Sequence, residues 1–162
     1  MKPMLVVLTL ALAGGAVLAQ EADFAPPVTP EGRPIIPPNR WESLRMVLPR
    51  AFAGLMPDND PSGKRALKLI RANLGMGEAA VEAAAKQIDE VMRVTGPYAA
   101  YDLIGVEAMP RGERLFHLAY LTYGPKAPAL WEATVYFSDS GWKVMDLSVT
   151  AEKIFERAAG YR

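Results

Sequence analysis

The chain has 162 residues, enough for one ordinary domain and too few for two comfortable ones. Its 18 Lys+Arg balance 18 Asp+Glu, so no long-range field favours nucleic acid or an anionic membrane surface. It has no cysteine and one histidine, which excludes disulfides, thiolate catalysis and cysteine-rich zinc sites and argues against a histidine-built metal centre.

Residues 1–19, MKPMLVVLTLALAGGAVLA, carry an early lysine, an apolar run and small residues at the end. This is the grammar of a secretory signal peptide, with cleavage expected after Ala19. An uncleaved anchor is the alternative, but the run from Met4 to Leu18 falls short of the roughly 20 residues a span needs and contains Gly14-Gly15. With no cysteine available for a lipid, the expected mature protein is periplasmic or extracellular and keeps no stable membrane anchor. Residues 20–40 hold six of the 14 prolines and read as a linker, with Ile35-Ile36 able to pack onto the domain that follows. That domain is expected over residues 41–162.

Asn39 and Glu42 have capping-box spacing, and Trp41, Leu44, Val47 and Leu48 give the first helix an apolar face. Pro49 either kinks this helix or starts a second one running to about Met56. In the turn that follows, Asp58, Asn59 and Asp60 lack the spacing of a calcium loop, and Asp60-Pro61 reads as a helix cap with a first-turn proline. The next helix turns Ala66, Leu67, Ile70 and Leu74 inward and Lys64, Arg65, Lys68 and Arg71 outward, a basic face read as solvated. Gly75-Met76-Gly77 ends it and follows no strand, which rules out a dinucleotide fingerprint.

The clearest helix spans residues 78–94, where Val81, Ala84, Ala85, Ile88, Val91 and Met92 recur at helical spacing. Glu82 with Lys86 and Asp89 with Arg93 stand four apart on it, and its alanines permit close approach of another element.

Tyr98 to Met109 reads as a strand broken near Gly105, with a turn at Pro110-Arg111-Gly112. Arg114 to Thr150 reads as three more antiparallel strands, turned at Gly124-Pro125 and at Ser138 to Gly141. A three-residue turn, Asp139-Ser140-Gly141, would place Phe137, Val135, Ala133 and Trp131 on a core face with Lys143, Met145, Leu147 and Val149. The opposite face would carry Leu130, Glu132, Thr134 and Tyr136 beside Trp142, Val144, Asp146 and Ser148, with Thr134 opposite Asp146 and Glu132 opposite Ser148. A two- or four-residue turn would reverse the faces. The strand Leu115 to Tyr123 is apolar on both sides, which suggests cover on both, including cover by a partner subunit in a homodimer. His117 in that strand reads as a hydrogen-bonded or partly exposed sheet residue rather than a catalyst. A short closing helix with Ile154, Phe155 and Ala158 on its apolar side, capped by Thr150, ends at Gly160. The fold class is therefore α+β: N-terminal helices packed on a curved four-stranded antiparallel sheet, with a short C-terminal helix.

This order of elements, closing on the hairpin ATVYFSDSGWKVMDLSV with Gly141-Trp142, resembles the ketosteroid-isomerase-like cone fold, the nuclear transport factor superfamily. The resemblance implies a cavity between sheet and helices, used by some members for isomerisation or dehydration and by others for binding or assembly. An enzyme of this kind needs a carboxylate base and a tyrosine or protonated acid to stabilise an enolate. Asp102, Glu132 and Asp146, with Tyr120, Tyr136 and Tyr101, are the available groups. Whether Tyr120 shares a face with Glu132 or with Trp131 depends on the register across the loop after Tyr123. Tyr120, Glu132, Thr134, Tyr136, Trp142 and Asp146 are the candidate ligand-binding set, and Asp146, Glu132 and Tyr120 the candidate catalytic groups. The expectation is non-enzymatic binding of a small apolar ligand or a protein partner, without a cofactor or metal and without nucleic acid. The alternatives are a cofactor-independent isomerase or dehydratase and an inhibitor or immunity-type protein.

Overall fold

The computed structural model describes Val28, Gly32 and residues 36–109 and 114–161. The expected leader, most of the expected linker, the Pro110–Gly112 turn and the Phe155 side chain lie outside the described residues. Among the described residues, no helix is long and apolar enough to cross a membrane.

The helical half opens with α1 (Pro38–Arg45), which starts on Pro37-Pro38 without a side-chain cap. A proline in the first turn needs no N–H partner, so the expected capping box is not used. Glu42 pairs instead with Arg45, 2.7 Å away. The chain breaks at Met46 and resumes as α2 (Val47–Ala53), in which Pro49 is the third residue. Both proline alternatives therefore miss by a few residues: the break precedes Pro49, because its ring and missing N–H act one turn upstream. Ile36, Trp41, Leu44, Leu48 and Phe52 are buried.

A 3-10 turn at Pro57–Asn59 ends on Asp60, whose φ of 49° is left-handed. That conformation displaces the next helix start, so Ser62 rather than Asp60 caps α3 (Gly63–Leu69), its hydroxyl accepting the Arg65 N–H at 3.2 Å. After a second 3-10 turn at Arg71–Asn73, Leu74 makes a parallel bridge to Val144 of the sheet. The long helix α4 (Glu78–Thr95) buries Ala84, Ala85 and Ile88. The carboxylates predicted to pair along α4 reach α3 instead: Asp89 accepts the Gly63 N–H at 2.7 Å and Glu82 meets Lys64 at 3.6 Å. Gly63 lies so close to α4 that a Cβ there would fall 2.1 Å from the Ala85 carbonyl oxygen.

Four antiparallel strands follow in the spatial order β1 (Ala100–Ala108), β2 (Leu115–Tyr123), β3 (Pro128–Ser138) and β4 (Gly141–Thr150). The break expected near Gly105 is a bulge between Leu103 and Gly105. The β3–β4 turn has two residues, Asp139 and Ser140, so Phe137 pairs with Trp142 and Val135 with Val144. Trp142 and Val144 consequently face the core, while Lys143 pairs with the exposed Tyr136 on the outer face. A second bulge then inserts Met145 and restores the expected pairs, Thr134 with Asp146 and Glu132 with Ser148. The face assignment is thus reversed only between turn and bulge.

The helices pack on the inner face of the sheet, where Phe116, Leu118, Trp131, Val135, Val144 and Val149 are buried. On the outer face, α5 (Ile154–Ala158) and a 3-10 turn at Ala159–Tyr161 lay Ile154 and Tyr161 over Ala119, Leu121 and Leu130. The second face of β2 is therefore covered by the chain's own C-terminal segment. Thr150 accepts from the Glu152 N–H in a turn ahead of α5 rather than capping the helix itself.

Gly63→Ala should cost about 1–3 kcal/mol, because the added methyl meets backbone that cannot move without separating α3 from α4. Thermal or urea unfolding measures the loss, and a stability equal to wild type would show that the two helices do not approach this closely.

Candidate functional site

The inner face is where the cone-fold resemblance places a cavity, and aromatic side chains fill it. Phe52 of α2 packs against Trp131 (ring centroids 4.9 Å), Tyr101 (5.5 Å), Tyr120 (5.6 Å) and Tyr98 (5.7 Å). Among the described residues a void of ≈ 10 Å³ lies beside them, lined by Leu55, Ile88, Met92, Thr95, Tyr98 and Trp131. That is about the least room one water requires.

Tyr120 lies in this cluster because it pairs with Trp131 across β2 and β3, on the opposite face from Glu132. Its hydroxyl donates to the Arg45 carbonyl at 2.9 Å. Arg45 is four residues before Pro49, so the proline removes the N–H that an unbroken helix would direct at that carbonyl, and Tyr120 supplies one in its place. Burial, with Tyr101 adding to it, pushes the Tyr120 hydroxyl far above the ordinary tyrosine range. Trp142 is also on the inner face, with its indole N–H shared between the Arg40 carbonyl (3.2 Å) and the Ser43 hydroxyl (3.1 Å). Both side chains are used in attaching α1 to the sheet.

The structure brings the remaining candidates, Glu132, Thr134, Tyr136 and Asp146, to the outer face, as the pairing of β3 with β4 predicts. Glu132 is engaged through both oxygens: Tyr161 donates to one at 2.6 Å and Arg157 meets the other at 2.6 Å. His117 Nε2 lies 2.9 Å from the same Tyr161 oxygen. Tyr161 has one proton and gives it to Glu132, which leaves its oxygen to accept from His117 Nε2–H. The Tyr161 ring reaches this position over Gly105, where a Cβ would come within 2.4 Å of it. Burial first, then the bond to Glu132, raises the Tyr161 hydroxyl well above its usual range. Glu132 is thus a clasp for the C-terminal segment, while Asp146 stays exposed at the sheet edge. Farther along, Asp102 accepts from Tyr123 at 2.7 Å. Among the described residues, no three His, Asp or Glu side chains are grouped to hold a metal ion.

An open groove lies between α3 and α4 that sequence reasoning did not assemble. It measures ≈ 630 Å³ and is lined by Leu67, Leu74, Met76, Val81 and Ala85 along its floor, with Lys64, Lys68 and Arg71 on the α3 side and Glu78 and Glu82 on the α4 side. The basic face of α3 was legible as a charge pattern. Its position above apolar side chains was not, because that depends on how two helices cross after separate turns.

Tyr120→Phe should lower stability by about 1–3 kcal/mol in urea unfolding, since the partly buried Arg45 carbonyl would lose this donor. An unchanged midpoint would remove the hydroxyl from the account of the Arg45–Pro49 break. At alkaline pH, Tyr98, Tyr120, Tyr123 and Tyr161 all ionise above the unfolded value of 10.0, mainly through burial, with Tyr123 at about 12. Each raised value favours the neutral folded form, so their contribution is intact below pH 10 and declines as the pH rises through 12. Ultraviolet titration of the native protein should show a step near 12 that Tyr123→Phe removes; a native titration centred at 10 would contradict these environments.

No protein-family model matches the chain, and no curated protein matches it. Among solved structures, it is similar to the intermembrane space region of the chloroplast protein ARC6, at 14% identity and a TM-score of 0.39, covering 72% of this chain and 98% of that one. It is also similar to a domain of unknown function with a cystatin-like fold from Nostoc punctiforme, at 16% identity and a TM-score of 0.43, covering 76% of this chain and 84% of that one.

Proposed function

We propose that this protein is an exported, non-enzymatic binding domain whose site is the groove between α3 and α4. In this reading the 1–19 leader directs export, residues 20–40 tether the domain, and the domain is a member of the cone-fold superfamily that binds outside its sheet. The observation that carries the reading is the contrast in space among the described residues: a void of ≈ 10 Å³ beneath the sheet against ≈ 630 Å³ in the groove. Ligand sites are concave, with polar groups placed around apolar side chains; the groove has both, with charged residues set beside Leu67, Leu74, Met76, Val81 and Ala85, whereas the inner face is filled.

Binding is favoured over isomerisation or dehydration because the proposed electrophile and bases occupy opposite faces. Tyr120 donates to Arg45 on the inner side, and Glu132 is held by Arg157 and Tyr161 on the outer side. The role of an inhibitor or immunity-type protein is one form of the same reading, in which the groove's occupant belongs to another protein.

Anilinonaphthalene sulfonate, an apolar anionic dye, should brighten on adding mature protein, and Val81→Trp, which fills the groove from α4, should abolish the signal at unchanged melting temperature. Dye binding that persists undiminished in the folded variant, or no brightening with wild type, would overturn the groove as the site.

A further inference from the structure

The groove's rim is divided by sign. Lys64 and Lys68 stand one helical turn apart on α3, with Arg71 continuing the row in the next turn, while Glu78 and Glu82 stand one turn apart at the start of α4. Between the rows, Leu67 and Ala85 are buried, and Leu74, Met76 and Val81 are half-buried and reach the groove. Lys64 and Glu82 approach to 3.6 Å at one end, and both side chains are well exposed, at 73% and 50%. An exposed pair of this kind is weak and can be exchanged for partners on an incoming ligand.

Resting on the reading of the groove as the binding site, we propose that its occupant is an amphipathic helix of a protein partner, with an apolar stripe flanked by acidic residues on one side and basic residues on the other. The divided rim selects this chemistry. A fatty acid or other anionic amphiphile could use the α3 cations but would place its charge near the Glu78 and Glu82 carboxylates, and a cationic amphiphile meets the reverse conflict. A helix can satisfy both rows at once, because side chains three and four apart line each flank while the stripe between them enters the groove. The basic row, from Lys64 in α3 to Arg71 in the turn after it, extends over roughly 10 Å at helical rise, matching about two turns of a partner helix. Methionine at the floor, unbranched and polarizable, tolerates several apolar side chains in that stripe.

Reversing the direction of the bound helix exchanges its flanks, so the informative comparison is between divided and uniform flanks. Fluorescence anisotropy would be measured with mature protein and four labelled peptides of three to four turns sharing one leucine stripe. Their flanks are Glu on one side and Lys on the other, Glu on both, Lys on both, or Gln on both. The divided peptide should bind roughly tenfold more tightly than either single-sign peptide, weaken as salt rises, and lose its advantage in Lys68→Glu/Arg71→Glu, exposed positions whose substitution leaves the fold intact. Equal binding of divided and single-sign peptides, or a divided-peptide advantage that survives the charge reversal, would overturn the proposal. If the dye binds the groove and no peptide does, the helix is wrong and the groove remains the site; if neither binds, both readings fall.

Discussion

The constraint on which the rest of the structure depends is the satisfaction of one carbonyl. A helix running unbroken from Pro38 to Ala53 would direct the residue 49 N–H at Arg45, and proline has none to offer. The chain turns at Met46, and the Tyr120 hydroxyl from the middle of β2 donates to the Arg45 carbonyl. A tyrosine can reach there only if α1 and α2 lie directly on the sheet. That places Phe52 among Tyr98, Tyr101, Tyr120 and Trp131 and, among the described residues, leaves a void of ≈ 10 Å³ beside them. The filled interior and the location of usable space on the helical surface are consequences of the same bend. Burying each large apolar side chain in this cluster contributes on the order of 1.5–3 kcal/mol, so opening the interior to a ligand would be costly.

Much of this arrangement was readable along the chain. Helix α4 announces itself through Val81, Ala84, Ala85, Ile88 and Met92, and the strands through aromatic and β-branched runs between turn residues. The pairing of Thr134 with Asp146 and Glu132 with Ser148 was also legible, although by a route the structure revises. One residue fewer in the turn and one extra at Met145 cancel, so the far half of the hairpin keeps its expected faces while Trp142 and Val144 change sides. Alternation counts residues and has no means of registering a bulge, which is a local change of backbone that many residues accept. The cap of α3 failed for a related reason: Asp60 has the right side chain, but its left-handed backbone ends one turn before the next helix begins.

The candidate site was less legible than the fold because its geometry comes from distant segments. Tyr161 and Arg157 have no local pattern that ties them to Glu132, and only the placement of α5 across β3 makes that carboxylate a clasp rather than a solvated charge. His117 was correctly read as a hydrogen-bonded or partly exposed sheet residue, but its partner lies 44 positions away. The basic residues of α3 were likewise visible individually. Their setting changes once Gly63 of α3 lets that helix lie against the backbone of α4 at Ala85 and sets the opposing glutamates across the groove.

The two bulges also bear on how the protein survives at high local concentration. Each lies in an outermost strand, at Ile104 in β1 and Met145 in β4, so neither border of the sheet offers an uninterrupted ladder of backbone donors and acceptors. The β4 border is further occupied at Val144, where the Gly75 N–H donates to its carbonyl at 2.9 Å. A molecule whose interior is rich in aromatic strands would otherwise be a template for fibrils, and these irregular margins restrict the sheet to its own four strands.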